Sequence, residues 1–283
     1  MSVSPRGGAP AARVGVVVVG YESRDVLLGA LDSIAAHAGL PAEVAFVDNA
    51  STDGSVDAVR ARHPRARVVA NPVNRGFSAA CNQGWRALET PLVLFLNPDA
   101  EVLPGALPAL AAVFDRRSDA GVAGPRTLND DGTVQVSTGP DLTLASERRQ
   151  RRLVAGVRDR APWALAEADA RHSREHEPDW VSGSCLMARR EALEAVGGFD
   201  EGYFLYEEDA DLCRRVRAAG FRVVFTPEAV VRHRLGRSMA KAAARARAEY
   251  DRSHLRYYRT HNGPLQRALL RAWMTFAALR RRA

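Results

Sequence analysis

The chain has 283 residues, 46% of them hydrophobic and 26% charged, which suits a folded globular protein large enough for one α/β domain with an appendage. An excess of 40 Lys+Arg over 33 Asp+Glu leaves a formal charge of +7, suited to nucleic acid, anionic lipid or phosphorylated ligands. No stretch approaches the roughly 20 apolar residues of a membrane-spanning helix. Residues 1–12 lack the apolar core of a signal peptide, and Cys81, Cys185 and Cys213 show no metal-ligand spacing, so a reducing cytosol is expected rather than a disulfide framework.

In chain order, Arg13–Gly20 reads as a first strand, and Ser23 is placed to cap a helix running to His37. Glu43–Val47 is a second strand, followed by the loop Asp48-Asn49-Ala50-Ser51-Thr52-Asp53-Gly54. Arg67–Ala70 is a third, then come Asn74-Arg75-Gly76 and a helix over Ser78–Leu88. Leu92–Leu96 is the fourth and ends at Asn97-Pro98-Asp99. Short β-branched runs alternating with helices predict a mostly parallel sheet, which places ligands beyond the C-terminal ends of its strands. The four polar strand ends therefore converge on one candidate site.

Asn129-Asp130-Asp131-Gly132 predicts a hairpin turn between Thr127-Leu128 and Thr133–Val136. Ser137–Pro178 is polar and weakly periodic, a partly helical insertion or a mobile segment. Trp180–Arg189 is a strand candidate, followed by a helix ending at Gly197-Gly198. Glu208–Ala219 is a helix with acids in its first turn and arginines near its end. Phe221–Thr226 is a further strand, closed by Pro227. From Ser238 the chain reads as helical, interrupted at Asn262-Gly263-Pro264.

The first strand is followed by Val19-Gly20-Tyr21-Glu22, without a GxGxxG turn, and no GxxxxGK[ST] phosphate loop occurs. A nucleotide diphosphate would then be neutralised most naturally by a metal. Asp99, at a strand end, offers the hard oxygen that Mg²⁺ or Mn²⁺ takes, although Asn-Pro-Asp is also good turn chemistry. Asp48 is placed to accept a base N–H, and Asp53 to cap the next helix. Glu207-Glu208-Asp209-Ala210-Asp211 follows the aromatic run Tyr203-Phe204-Leu205-Tyr206. Such acids are either partners of the helix dipole or a base desolvated by an apolar wall. His233 reads as a metal ligand or as a surface histidine in a basic stretch. With no zinc-finger pattern, RNP signature or basic–aromatic repeat, a nucleic-acid partner is not expected.

The ordered set resembles the inverting family 2 glycosyltransferases of GT-A fold. The stretches that carry it are Val47-Asp48-Asn49-Ala50-Ser51-Thr52-Asp53-Gly54-Ser55, Asn74-Arg75-Gly76-Phe77-Ser78, Phe95-Leu96-Asn97-Pro98-Asp99, Gly183-Ser184-Cys185, and Gly197-Gly198-Phe199-Asp200-Glu201 through Glu208-Asp209-Ala210-Asp211-Leu212. The resemblance implies an α/β GT-A domain over 13–237, with a nucleotide-sugar half (13–126), an acceptor half (180–237) and a helical extension over 238–283. It implies that Asp48 reads the base, with Tyr21, Glu22 and Asn49 beside it, and that Asn74, Arg75 and Gly76 face the diphosphate. Asp99 matches the last acid of the DxD metal motif, whose first acid is here Asn97. His233 matches a histidine that joins the metal or diphosphate. Asp209 matches the general base, and Gly183, Ser184 and Glu208 would flank the acceptor.

The Asn-Pro-Asp variant, the segment Tyr206-Glu207-Glu208-Asp209-Ala210-Asp211-Leu212 and the tail Tyr257-Tyr258-Arg259-Thr260-His261-Asn262-Gly263 resemble bacterial rhamnosyltransferases of cell-envelope assembly. A dTDP- or UDP-sugar donor and a glycan or lipid-linked glycan acceptor are then expected. A nucleotidyltransferase and a sugar-nucleotide binder without turnover are the alternatives; the first lacks a Gly-rich phosphate loop, and intact Asp99 and Asp209 speak against the second. In the tail, Leu269, Trp273, Phe276 and Leu279 recur near helical spacing beside Arg267, Arg271 and Arg280–Arg282. That stripe suits an interfacial membrane helix or one packed on the catalytic domain.

Overall fold

A computed structural model describes residues 12–234 and 243–280, with the side chains of 243–245 and 276–280 excepted. The elements run β1 (Val14–Gly20), α1 (Arg24–His37), β2 (Ala42–Asp48), α2 (Ser55–Arg62), β3 (Arg67–Ala70), α3 (Phe77–Arg86), β4 (Leu92–Leu96), β5 (Ala100–Val102), α4 (Ala106–Arg116) and β6 (Ala120–Leu128). They continue with β7 (Thr138–Gly139), α5 (Leu144–Arg158), α6 (Pro162–Arg171), β8 (Trp180–Val181), β9 (Cys185–Arg189), α7 (Arg190–Val196), α8 (Glu208–Ala218), β10 (Arg222–His233), α9 (Ala243–His261) and α10 (Pro264–Arg280).

Eight strands form one sheet in the order β3-β2-β1-β4-β9-β6-β10-β5. β3, β2, β1 and β4 are mutually parallel, β9 lies antiparallel between β4 and β6, and β10 runs parallel to β6. Every residue of β1 is buried, as a strand covered on both faces requires. Val14, Val16 and Val18 join Leu27, Leu31 and Ile34 of α1 in one core. Val17 and Val19 join Ala80, Cys81 and Trp85 of α3 and Leu212 of α8 in the other. Each such valine contributes on the order of 1.5–3 kcal/mol by leaving water. Gly84 is what lets α3 lie on β1, since a Cβ there would stand 2.3 Å from Val17 Cγ1.

Two expectations change. Phe221–Thr226 does not stop at Pro227: β10 continues to His233, with a register shift between Thr226 and Val230. Proline removes a ladder donor but is accommodated at a bulge, and pairing resumes beyond it. The Trp180–Arg189 strand is broken at Ser182-Gly183-Ser184 into β8 and β9, which pair with different partners. The hairpin turn expected at Asn129–Gly132 is present, closed by Asn129 N–H to Thr133 O (2.8 Å), Gln135 N–H to Thr127 O (2.9 Å) and a single bridge between Leu128 and Val134. Within 137–178, α5 and α6 pack through Leu153, Val157, Ala164 and Ala168, and a Thr143–Ser146 capping box opens α5.

The expected boundary at 237–238, residues 281–283, and the side chains of Phe276 and Leu279 lie outside the described residues. On α10, Leu270 is buried with Tyr203, Tyr257 and Tyr258, and Met274 packs beside it. Leu265, Leu269 and Trp273 are exposed (72%, 48% and 44%). Among the described residues no helix is long and apolar enough to cross a membrane.

Candidate active site

The C-terminal ends of β1, β2 and β4 are brought to one edge of the sheet by their parallel pairing. At β2, Asp48 is buried; its Oδ2 accepts Ser51 N–H at 2.9 Å, while Oδ1 is buried with no donor among the described residues. An unpaired buried carboxylate oxygen is costly unless a ligand donor meets it. Tyr21, the first residue after β1, is exposed. Glu22, with φ of 50°, accepts Thr52 N–H (2.7 Å) and Oγ1 (3.0 Å), tying the loop after β1 to the loop after β2. Asp53 caps twice: Oδ1 accepts Ser55 N–H at 2.9 Å, and Oδ2 accepts Arg24 N–H at 2.8 Å, at the start of α1.

Asn49 is a buried strut. Its Nδ2 donates to Gly76 O (3.0 Å) and its Oδ1 accepts from Asn71 Nδ2 (3.0 Å). Asn74 Oδ1 accepts Gly76 N–H at 3.0 Å, closing the turn, and the Arg75 side chain is exposed. Gly76 has φ of 86°, and a Cβ there would stand 2.8 Å from the Phe204 carbonyl. Glycine thus lets the 74–76 loop lie directly on the loop before α8.

At β4, Asn97 N–H donates to Ser184 O at 2.9 Å, and Asp99 is buried. β10 brings His233 beside them, with Nε2 3.2 Å from Asp99 Oδ1 and 3.4 Å from Asn97 Nδ2. Gln135 Nε2 donates to His233 O and Asn129 Oδ1 (2.8 Å each), so its Oε1, 3.1 Å away, is the acceptor for His233 Nδ1–H. That assigns a proton to Nδ1 and turns Nε2 toward the Asp99 carboxylate. A proton or a metal cation between the two relieves their repulsion. Gln135 and Asn129 carried no chemical signal in the sequence; the hairpin alone brings them here.

Opposite in sequence but adjacent in space, Gly183 N–H donates to Asp209 Oδ2 at 2.7 Å, and Ala210 N–H donates to Oδ1 at 2.8 Å. Burial raises the Asp209 pKa, and these two N–H groups pull against it. Glu208 is buried with Oε2 unpaired; burial first, then the Asp209, Glu207 and Asp211 charges, push its carboxyl well above the usual range. Asn97, His233, Gly183, Ser184, Glu208 and Asp209 all line one cavity of about 390 Å³, walled also by Trp180, Leu205, Tyr206 and Tyr250. The structure thus gathers the expected acceptor and base residues and His233 around one space, with Asp99 in contact with His233 but outside the lining. Asp48 and the 74–76 loop lie on the same sheet edge outside that lining.

A family model described as glycosyltransferase like family 2 matches residues 10–259. The chain is 34% identical over 251 residues to an N-acetylglucosaminyl-diphospho-decaprenol L-rhamnosyltransferase of Mycobacterium tuberculosis, covering 84% of this chain and 81% of that one. It is 29% identical over 265 residues to the O-antigen biosynthesis protein RfbC of Myxococcus xanthus, of which it spans only 19%. Among solved structures, the mannosyltransferase PcManGT from Pyrobaculum calidifontis, in complex with GDP-Man and Mn²⁺, shares the fold at TM-score 0.61 and 20% identity, over 88% of this chain and 63% of that one. The chain belongs to glycosyltransferase family 2. It is a hexosyltransferase of GT-A fold.

Proposed function

We propose that the chain transfers rhamnose from a dTDP- or UDP-sugar to a hydroxyl of a glycan or lipid-linked glycan in cell-envelope polysaccharide synthesis, inverting the anomeric centre. The observation that carries this reading is one cavity lined by both Asp209, a carboxylate anchored by two backbone N–H groups, and His233, whose Nε2 stands 3.2 Å from the buried Asp99. The mycobacterial relative's rhamnosyltransferase activity supports the sugar.

In this reading residues 13–126 bind the donor and 180–237 the acceptor. The unpaired Asp48 Oδ1 accepts the N3–H that thymine and uracil share, beside the exposed Tyr21. Glu22 and Asn49 hold the loops that shape this pocket, and Asn74, Arg75 and Gly76 face the diphosphate. Asp99 and His233 fit a divalent cation, Mg²⁺ or Mn²⁺, as one hard oxygen and one imidazole nitrogen whose other nitrogen is already engaged. Bound there, the cation would stabilise the charge gathering on the leaving diphosphate. Asn97 steadies the His233 ring rather than supplying a second charge. Asp209 takes the proton of the attacking hydroxyl, which Glu208, Gly183 and Ser184 orient. A single displacement through an oxocarbenium-like state inverts the sugar and needs no enzyme nucleophile.

The proposal includes a peripheral contact of α10 with the inner face of the cell membrane, where a lipid-linked acceptor would lie. The exposed Leu265, Leu269 and Trp273 supply its apolar stripe.

A screen of dTDP-, UDP- and GDP-sugars, read by nucleoside diphosphate release, tests the donor. Release should be greatest with dTDP- or UDP-rhamnose, and EDTA or Asp99→Ala should abolish it. Full activity of Asp99→Asn in EDTA would remove the metal from the proposal, and turnover confined to a GDP-sugar would remove the assigned base.

A further inference from the structure

α9 lies outside the eight-stranded sheet, yet its side chains hold the segment that leads into α8. Ser253 Oγ donates to Leu205 O at 2.7 Å. The Arg256 guanidinium grips Asp200 at 2.7–3.1 Å and lies over Gly202, where a Cβ would stand 2.1 Å from its Cζ. His261 Nε2 meets Asp211 Oδ1 at 2.7 Å. Between these, His254, 1% exposed, meets Glu207 Oε1 through Nδ1 at 2.6 Å.

Glu207 is the residue before Glu208 and Asp209, and it and Tyr206 both sit in the left-handed region, at φ of 63° and 72°. Two consecutive non-glycine residues in that region persist only when their surroundings over-determine them. The His254 bond is a hold on that turn from α9.

We propose that His254 is a positioning residue of the transfer reaction: as an imidazolium it grips the Glu207 carboxylate and thereby fixes the left-handed turn that sets Glu208 and Asp209 in the cavity. This rests on Asp209 as the base. The two carboxylates packed on the ring favour the charge, and Arg151 opposes it. Glu207 comes from the turn, and Glu147 of α5 stands 3.4 Å from Nε2. Arg151 of α5 binds Glu147 at 2.9 Å, as Tyr258 OH does at 2.6 Å, and Tyr250 stacks on the imidazole. Burial works against the charged ring, but the Glu207 hydrogen bond and the Glu207 and Glu147 charges outweigh it and raise the His254 pKa. Burial also pushes the Glu207 carboxyl upward, against the pull of His254.

The test compares His254→Ala and His254→Gln with the wild type, using the best donor of the screen, nucleoside diphosphate release for rate, and calorimetry of nucleoside diphosphate with Mn²⁺ for donor binding. His254→Ala should lose about tenfold or more in kcat while binding the nucleotide within about twofold of wild type, because the base is displaced and the donor pocket is not. His254→Gln, which can still donate to Glu207, should recover much of kcat. It should also lack the fall in rate that the wild type shows as rising pH deprotonates the imidazolium. Wild-type kcat in His254→Ala, or nucleotide binding lost in step with kcat, would overturn the proposal. So would a His254→Gln enzyme that keeps the wild-type alkaline limb, which decides the matter alone if His254→Ala does not fold. Asp209→Asn in the same assay keeps the two readings apart: if it turns over normally, the base assignment fails whatever His254 does.

Discussion

Replacing Asp209 by asparagine removes the proposed base, but the geometry says it does more. Both carboxylate oxygens accept a backbone N–H, from Gly183 at 2.7 Å and from Ala210 at 2.8 Å. Asparagine has one acceptor oxygen, so its NH₂ must face one of those donors or swing away from it. An N–H left unpaired costs about 1–3 kcal/mol. Removing a charge whose burial raises its pKa offsets part of that. The net loss of stability should therefore stay below about 3 kcal/mol, a fall of no more than roughly 10 °C in Tm. The kinetic loss should be larger: a factor of about 10²–10⁴ in kcat, the range for general-base catalysis, or about 2.7–5.4 kcal/mol of barrier. Calorimetric nucleotide binding, Tm and kcat measured together separate these effects. The pH profile adds a sign. A base works only when ionised, so wild-type kcat should fall as pH drops through the Asp209 pKa, which burial places above the ordinary aspartate value, and Asp209→Asn should lack that limb. A variant within about tenfold of wild type, or one that keeps the acid limb, would refute the assignment.

Two further outcomes concern Glu208 and α10. Glu208 is buried with a pKa raised by burial and by the charges of Asp209, Glu207 and Asp211, so the folded state holds its proton where the unfolded chain releases it. Its contribution to stability is present below the unfolded pKa and lost as pH rises through the folded one. Calorimetric Tm values from about pH 5 to 8 should show Glu208→Gln gaining on wild type as pH rises; parallel curves would refute this. On α10, Leu265→Ser and Leu269→Ser together change outward side chains and leave Trp273, whose ring lies under Arg151, in place, so Tm should hold while flotation with phosphatidylglycerol vesicles is lost. Equal flotation of both proteins, or of neither, would end the membrane reading of this helix.

The strands and the site edge were legible because they rest on local patterns. Val14–Gly20 has a composition that only a strand covered on both faces accommodates, and parallel pairing then dictates where the polar loops after β1, β2 and β4 must meet. What stayed hidden was the division of labour among like residues. Asp48 keeps a buried oxygen unpaired, whereas Asp53, in the same loop, satisfies two helix starts. Both are loop aspartates, and only the path of the backbone separates them. Pro227 misled because proline normally ends a strand, and the bulge that absorbs it depends on β6 alongside. Segment 137–178 was only weakly periodic, because α5 and α6 meet partly through small residues: a Cβ on Gly156 would stand 2.6 Å from Ala164 Cβ.

The partnership of α9 with the catalytic turn was the least legible, and the reason is physical. His254 and Glu207 lie 47 positions apart, and a long-range ion pair leaves no periodicity in either segment. Yet the turn itself demands some such partner. A left-handed backbone at a residue with a Cβ costs about 1–2 kcal/mol, and here two such residues, Tyr206 and Glu207, stand in succession at the entry to α8. The helix cannot relieve that strain, because its first backbone bond, Asp211 N–H to Glu207 O at 3.0 Å, depends on the turn being made. The compensation comes from outside the sheet domain, through Ser253, His254 and Arg256. The extension that reads as an appendage in the sequence is therefore joined to the wall of the cavity, and removing α9 should disturb the placement of Asp209 before it disturbs the strands that carry Asp48 and Asp99.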